Sequence, residues 1–191
     1  MNKKIKEAIR VFNEGGIVIF PTDTAFGIGC RVDKPETIKR LYTIRKRPQT
    51  RQTSLLVSDI AMVKNYVTAI PDGVEEKLIK PYWPGAVTII LLANKETVPS
   101  LVRAGGETVG IRMPDHTDIL SLIFALGVPI LGPSANFHGE KTPFSYDELD
   151  SNLVKLADFV LPGVCERKSA STVIDTTVSP WRVVREGEIR L

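Results

Sequence analysis

A guanidinium is planar, keeps its charge near neutral pH and grips a phosphate or carboxylate through two parallel hydrogen bonds. Arg45, Arg47, Arg112 and Arg185 all stand at the borders of short apolar runs, where the chain leaves a core element. Hydroxyl and amide residues occupy similar positions: Thr22 and Thr24, Ser134 and Asn136, Ser171 and Thr172. Taken alone, each has a plain structural reading. Arg45, Lys46 and Arg47 complement the end of a helix dipole, GPSAN (132–136) is a turn, and Arg112 and Arg185 are surface charges. Together they suit a bound polyanion and group transfer at phosphorus. That chemistry rests on positioning and charge stabilisation, often with Mg²⁺ bridging phosphate oxygens, so the lack of an evident general base is compatible with it.

Other chemical devices are missing. Gly139, Glu140, Lys141 and Thr142 break the Gly-Lys adjacency of a phosphate loop, the Gly27 and Gly29 pair lacks the third glycine of a dinucleotide fingerprint, and no HExxH occurs. His116 and His138 fall in loops and read as surface residues. Cys30 and Cys165 lie far apart in apolar surroundings with no CxxC spacing, which reads as two buried free thiols. The sequence identifies no metal ligands.

The elements that must position these groups follow from periodicity. Ile5, Ala8, Ile9 and Phe12 predict an amphipathic helix over 3–14, stopped by Gly15 and Gly16. The run Ile17 to Phe20 is a buried strand that ends in Pro21, Thr22, Asp23 and Thr24, where Asp23 either faces a ligand or stabilises the turn. Pro35 opens a helix toward Arg45. A short strand at 54–57, a helix capped by Asp59 and running through Val67, and another helix at 74–80 come next. Residues 86–92 are apolar at consecutive positions, as in a strand covered on both faces, and 109–112 form a further strand. Asp115 or Thr117 caps a helix that Gly127 ends. Ser145 and Glu148 make a capping-box pattern, and 159–161, 172–174 and 181–184 are late strands.

This alternation predicts an α/β fold, three-layered, with a twisted mixed β-sheet flanked by helices. At 191 residues, 43% hydrophobic and 25% charged, the chain reads as one globular domain, 1–191. The longest apolar run is too short to cross a bilayer, and the start MNKKIKEAIR is unlike a signal peptide, so a cytoplasmic location without membrane contact is expected. A net charge of +3 is compatible with an anionic ligand or with RNA and decides nothing alone.

Several blocks in order extend the picture: PTDTAFGIG (21–29), LYTIRKRP (41–48), SLLV (54–57), YWPGAVTIIL (82–91), VGIRMPDH (109–116), GPSAN (132–136), STVID (171–175) and VVREGEI (183–189). Over nearly its whole length the chain resembles the YrdC-like threonylcarbamoyl-AMP synthases of the TsaC type. The resemblance implies a nucleotidyltransferase that joins L-threonine, bicarbonate and ATP into threonylcarbamoyl-AMP and pyrophosphate, with Mg²⁺ accompanying the ATP. The product would serve the threonylcarbamoyl adenosine modification of tRNA, through downstream threonylcarbamoyl transferase components as partners. It implies Thr24, Arg112 and Ser171 on the threonine side. Arg47, Ser134, Asn136 and Arg185 would meet ATP, and Arg45, Arg47 and Ser134 would serve catalysis. The chain departs from the family pattern at Arg45 (usually lysine), at Phe26 (usually tyrosine) and at Arg51, Gln52 and Thr53 (usually an NPL-like segment). Two other readings stay open: an RNA-binding module of the same fold, against which the aromatic content of 7% argues, and a relative that forms carbamoyl adenylate.

Overall fold

The computed structural model describes residues 2–191. Helix α1 (Lys3–Asn13) buries Ile5, Ala8, Val11 and Phe12 on one face, and the Asn2 side chain caps it by accepting from the Ile5 amide at 2.9 Å. Gly15 takes a left-handed φ of 81° at the sharp turn into strand β1 (Val18–Phe20), which pairs antiparallel with β2 (Gly27–Gly29). Helix α2 (Pro35–Ile44) follows, then β3 (Leu55–Leu56) and α3 (Ile60–Tyr66), where Asp59 is the expected cap and accepts from Met62 N at 2.7 Å.

The helix expected at 74–80 is instead a π-helical turn (Glu75–Ile79) running into the single turn α4 (Lys80–Tyr82). Pro81 has no N–H to give the ordinary ladder there. Strands β4 (Val87–Leu92) and β5 (Thr108–Arg112) lead to α5 (Thr117–Leu126), closed by Gly127 in the left-handed region. Neither Asp115 nor Thr117 caps that helix: His116 holds the cap position without a side-chain bond. Strand β6 (Ile130–Leu131) precedes a 3₁₀ turn (Tyr146–Glu148), α6 (Ser151–Leu156), β7 (Phe159–Val160), β8 (Thr172–Asp175) and β9 (Arg182–Arg185). The capping box at Ser145 does not form, because Glu148 accepts from the Phe144 amide at 2.7 Å instead.

The fold is mixed α/β, as expected, and its strands divide between two sheets. One has the order β2-β1-β7 and the other β6-β3-β5-β4-β8-β9, both with parallel and antiparallel neighbours. They meet along β2 and β6, through Leu131 N to Cys30 O at 2.9 Å, Ile28 N to Pro133 O at 2.9 Å and Ala135 N to Phe26 O at 2.8 Å. The ladder is broken there into isolated bridges, since Pro133 has no N–H to return. Gly29 permits the seam, because a Cβ on it would lie 1.9 Å from the Leu131 carbonyl oxygen.

Period-2 alternation then decides what lies on each face of the larger sheet. Val87, Ile89 and Leu91 of β4 and Val109 and Ile111 of β5 are wholly buried in the core. Thr88, Ile90, Gly110 and Arg112 point the other way, to the floor of a cavity. Among the described residues no helix is long and apolar enough to cross a membrane.

Candidate active site

The cavity holds about 310 Å³ between the loop after β1 and the open face of the six-stranded sheet. Every charged side chain that lines it is an arginine: Arg45, Arg47, Arg112 and Arg185. Only Arg112 has a carboxylate partner; among the described residues Arg45, Arg47 and Arg185 form no ion pair. Unbalanced cations around one hollow make an anion site by construction.

Arg112 leaves the end of β5 and is held on three sides. Its Nε donates to Gly85 O at 2.9 Å, Nη1 to Thr24 Oγ1 at 2.6 Å and Nη2 to Asp23 Oδ1 at 2.5 Å. Burial lowers its pKa, the Asp23 charge opposes that, and Arg185 and Arg167 add to the lowering. Asp23 thus takes neither role expected for it: it does not line the cavity but stands behind as the counter-charge of Arg112. Its Oδ2 has no hydrogen-bond partner among the described residues and faces Arg167 Nε at 3.5 Å.

The loop that carries Thr24 is folded by Thr22, whose Oγ1 donates to Ala25 O at 2.7 Å and accepts from the amides of Thr24 and Ala25. The Thr22 and Thr24 hydroxyl oxygens lie 3.1 Å apart, and Thr22 has its hydrogen and both lone pairs already engaged. Thr24 accepts from Arg112, which leaves its hydroxyl one lone pair for the cavity.

At the end of α2 the chain turns through Lys46 at a φ of 52°, with Arg47 N bonded to Tyr42 O at 2.9 Å and Lys46 N to Thr43 O at 3.0 Å. This left-handed termination sends Arg45 and Arg47 to the same wall. Arg45 is 2% exposed; its Nε donates to Asn136 O at 3.1 Å and its Nη2 to Asn136 Oδ1 at 3.3 Å. Burial, then the neighbouring Arg47, pull its pKa down to about 10, which still leaves it charged at neutral pH. Among the described residues Arg45 Nη1, Arg47 Nε and Thr53 Oγ1 are buried with no partner, so this corner has polar groups left unsatisfied. Arg47 Nη2 donates to Gln52 O, and its Nη1 lies 3.5 Å from His138 Nδ1.

The structure therefore brings Thr24, Arg45, Arg47, Arg112, Ser134, Ser171 and Arg185 to one cavity. Asn136 stands behind the wall instead, its Oδ1 accepting from Ser134 Oγ at 2.6 Å and from Arg45, and its Nδ2 donating to Glu140 O at 2.7 Å. Thr172 points to the opposite face and donates to Ile189 O at 2.5 Å. Sequence reasoning missed Thr88 and Thr53. Thr88 had a signal, as the lone hydroxyl in the apolar strand VTIILL, and Thr53 stood in the segment where the chain departs from the family pattern.

With the geometry in place, the matches to known proteins acquire a site. The family model Sua5_yciO_yrdC, described as "Telomere recombination", matches residues 10–187. The chain belongs to the Sua5/YciO/YrdC family. Threonylcarbamoyl-AMP synthase of Bacillus subtilis is 33% identical over 159 residues, covering 81% of this chain and 46% of the relative. Uncharacterized protein YciO of Escherichia coli is 31% identical over 184 residues, covering 96% and 88%. The crystal structure of Pyrococcus abyssi Sua5 complexed with L-threonine superposes with a TM-score of 0.91 at 31% identity, over 96% of this chain and 54% of that one. The chain spans about half the length of these Bacillus and Pyrococcus family members. Within the family fold, the open sheet face and the loop after β1 are the parts that build the cavity.

Proposed function

We propose that this chain is a threonylcarbamoyl-AMP synthase, condensing L-threonine, bicarbonate and ATP with release of pyrophosphate. The observation that carries the reading is the cavity whose charged lining is wholly arginine, three of the four without a counter-ion. The names of the Bacillus and Pyrococcus relatives, and the L-threonine complex of Pyrococcus Sua5, support it.

Thr24 keeps a lone pair, which suits the nitrogen of an amino acid, and Arg112 beside it draws in the carboxylate. The amine adds to bicarbonate carbon with loss of water and becomes a carbamate. A carbamate oxygen then attacks the α-phosphorus of ATP, the O–P bond forms, and the bond to pyrophosphate breaks with its electrons going to the leaving group. Holding two anions in line is the main demand on the protein. Arg45, Arg47 and Arg185 offset their repulsion, with Ser134 between them. The partnerless Arg45 Nη1 and Arg47 Nε are donors suited to triphosphate oxygens.

No carboxylate lines the cavity, and among the described residues no cluster of three or more His, Cys, Asp or Glu could hold a metal. Mg²⁺ would accordingly enter with the nucleotide, as the counter-ion of its phosphate oxygens. The product would pass to the tRNA threonylcarbamoyl transferase components.

Pyrophosphate release from ATP, measured with each substrate omitted in turn, tests the proposal. Release is expected only with threonine and bicarbonate together. Equal release without threonine overturns the amino-acid part, and no release with the full mixture overturns the whole.

A further inference from the structure

Ser171, which the resemblance puts on the threonine side, is paired on the cavity floor with a second buried hydroxyl, Thr88, that the condensation leaves without a role. Thr88 of β4 is 5% exposed and Ser171, just before β8, is 7% exposed; their oxygens are 2.9 Å apart and both residues line the cavity. Parallel pairing of β4 with β8 sets this approach, with Val87 opposite Thr172 and Thr88 opposite Val173. Arg185 fixes the polarity. A guanidinium only donates, so the 2.9 Å contact from Arg185 Nη2 takes a lone pair of Ser171 Oγ. The carbonyl of Ser171 takes two further bonds from Arg185, at 3.0 and 2.7 Å, so the residue cannot swing away without breaking them.

The mutual bond between the hydroxyls consumes one of their two hydrogens. Neither oxygen has another acceptor among the described residues, so one O–H is left over whichever way the bond runs. If Thr88 donates, both lone pairs of Ser171 are filled and its hydrogen is free for the cavity. The lining has arginines and no carboxylate, so an anionic group of a ligand is an acceptor well suited to this O–H.

We propose that Thr88 is a positioning residue that, through Ser171, presents one O–H donor to the carboxylate of the bound amino acid. This rests on the reading of the cavity as a threonine site. The free lone pair of Thr24 would then meet the nitrogen of the amino acid while the hydroxyl pair meets its carboxylate.

Calorimetric titration with L-threonine and with L-threoninol, which has an alcohol in place of the carboxylate, tests the pair in the wild type, Thr88→Val and Thr88→Ser. Valine keeps the volume and shape of threonine and removes the hydroxyl. Thr88→Val is expected to weaken L-threonine about 5- to 30-fold, and Thr88→Ser less than about 3-fold. L-Threoninol, weaker throughout, should differ less than about 3-fold between wild type and Thr88→Val. In turnover, KM for threonine should rise with KM for ATP unchanged. Near-equal L-threonine affinity in wild type and Thr88→Val, or an equal loss with L-threoninol, overturns the role of Thr88 and leaves the threonine site standing. A wild type that binds no L-threonine overturns both.

Discussion

Asp23→Asn removes one charge and almost no volume, and it isolates what the buried ion pair contributes. Arg112 is 6% exposed and Asp23 2% exposed, so neither charge has water to fall back on. Burial already lowers the pKa of Arg112, and Asp23 is the main influence opposing that. With asparagine, the Arg112 cation stays in place with only neutral acceptors, close to Arg185 and Arg167. Removing one partner of a buried pair costs about 3–5 kcal/mol. For a chain of this length each kcal/mol lowers Tm by roughly 2–4 °C, so a fall on the order of 10 °C is expected. The charge released from Asp23 also turns toward the cavity. Pyrophosphate, which binds the folded state alone, should therefore raise Tm more in Asp23→Asn than in the wild type. Adding Arg112→Met to Asp23→Asn should recover part of the lost stability, because the stranded charge is gone. Scanning fluorimetry of the wild type and both variants, with and without pyrophosphate, reads all of this. An Asp23→Asn variant melting within about 2 °C of the wild type would refute the reasoning, since the pair would then be unnecessary to a buried cation.

Arg45→Ala and Arg47→Ala should each weaken pyrophosphate binding about 10- to 100-fold by calorimetry, the range for losing a charge-assisted hydrogen bond. Arg47→Ala should lower Tm of the free protein by no more than a few degrees, whereas Arg45→Ala should lower it further, because it empties buried space and leaves Asn136 O and Oδ1 short of a donor; undiminished binding would return the segment to a decorated helix end. Gly29→Ala should yield insoluble or unfolded protein, as its Cβ would meet the Leu131 carbonyl at 1.9 Å, whereas Gly105→Ala, with nothing within 4 Å, should cost only about 1–2 kcal/mol through its positive φ. Comparable denaturation midpoints for the two would show that the sheets are not locked at β2 and β6.

Much of the fold was legible because its signals are local. The apolar spacing of Ile5, Ala8 and Phe12, the cap at Asp59 and the glycine at 127 each act within a few residues of chain, and each appears where expected. The π-helical turn before Pro81 and the failed capping box at Ser145 are local too, but there two local preferences compete and the surroundings choose. The division into two sheets was not legible, since nothing near Gly132–Pro133 in sequence says that β2 will arrive there.

The site divides in the same way. Residue type and position at element ends singled out ten residues, of which Thr22, Thr24, Arg45, Arg47, Arg112, Ser134, Ser171 and Arg185 line one cavity while Asn136 and Thr172 do not. Which groups neutralise, orient or leave one another unsatisfied is a property of pairs. Asp23 meets Arg112 across 89 positions of chain, Thr88 meets Ser171 across 83, and Asn136 meets Arg45 across 91. A residue's chemistry is written in its side chain, whereas its partners, its burial and hence its charge state depend on distances that exist only once the sheets have paired. The sequence by itself therefore determined the inventory of cations and hydroxyls and the elements that bear them. Tertiary structure alone decided that Asp23 and Asn136 stand behind the wall while Arg45, Arg47 and Arg185 face the cavity without a counter-ion.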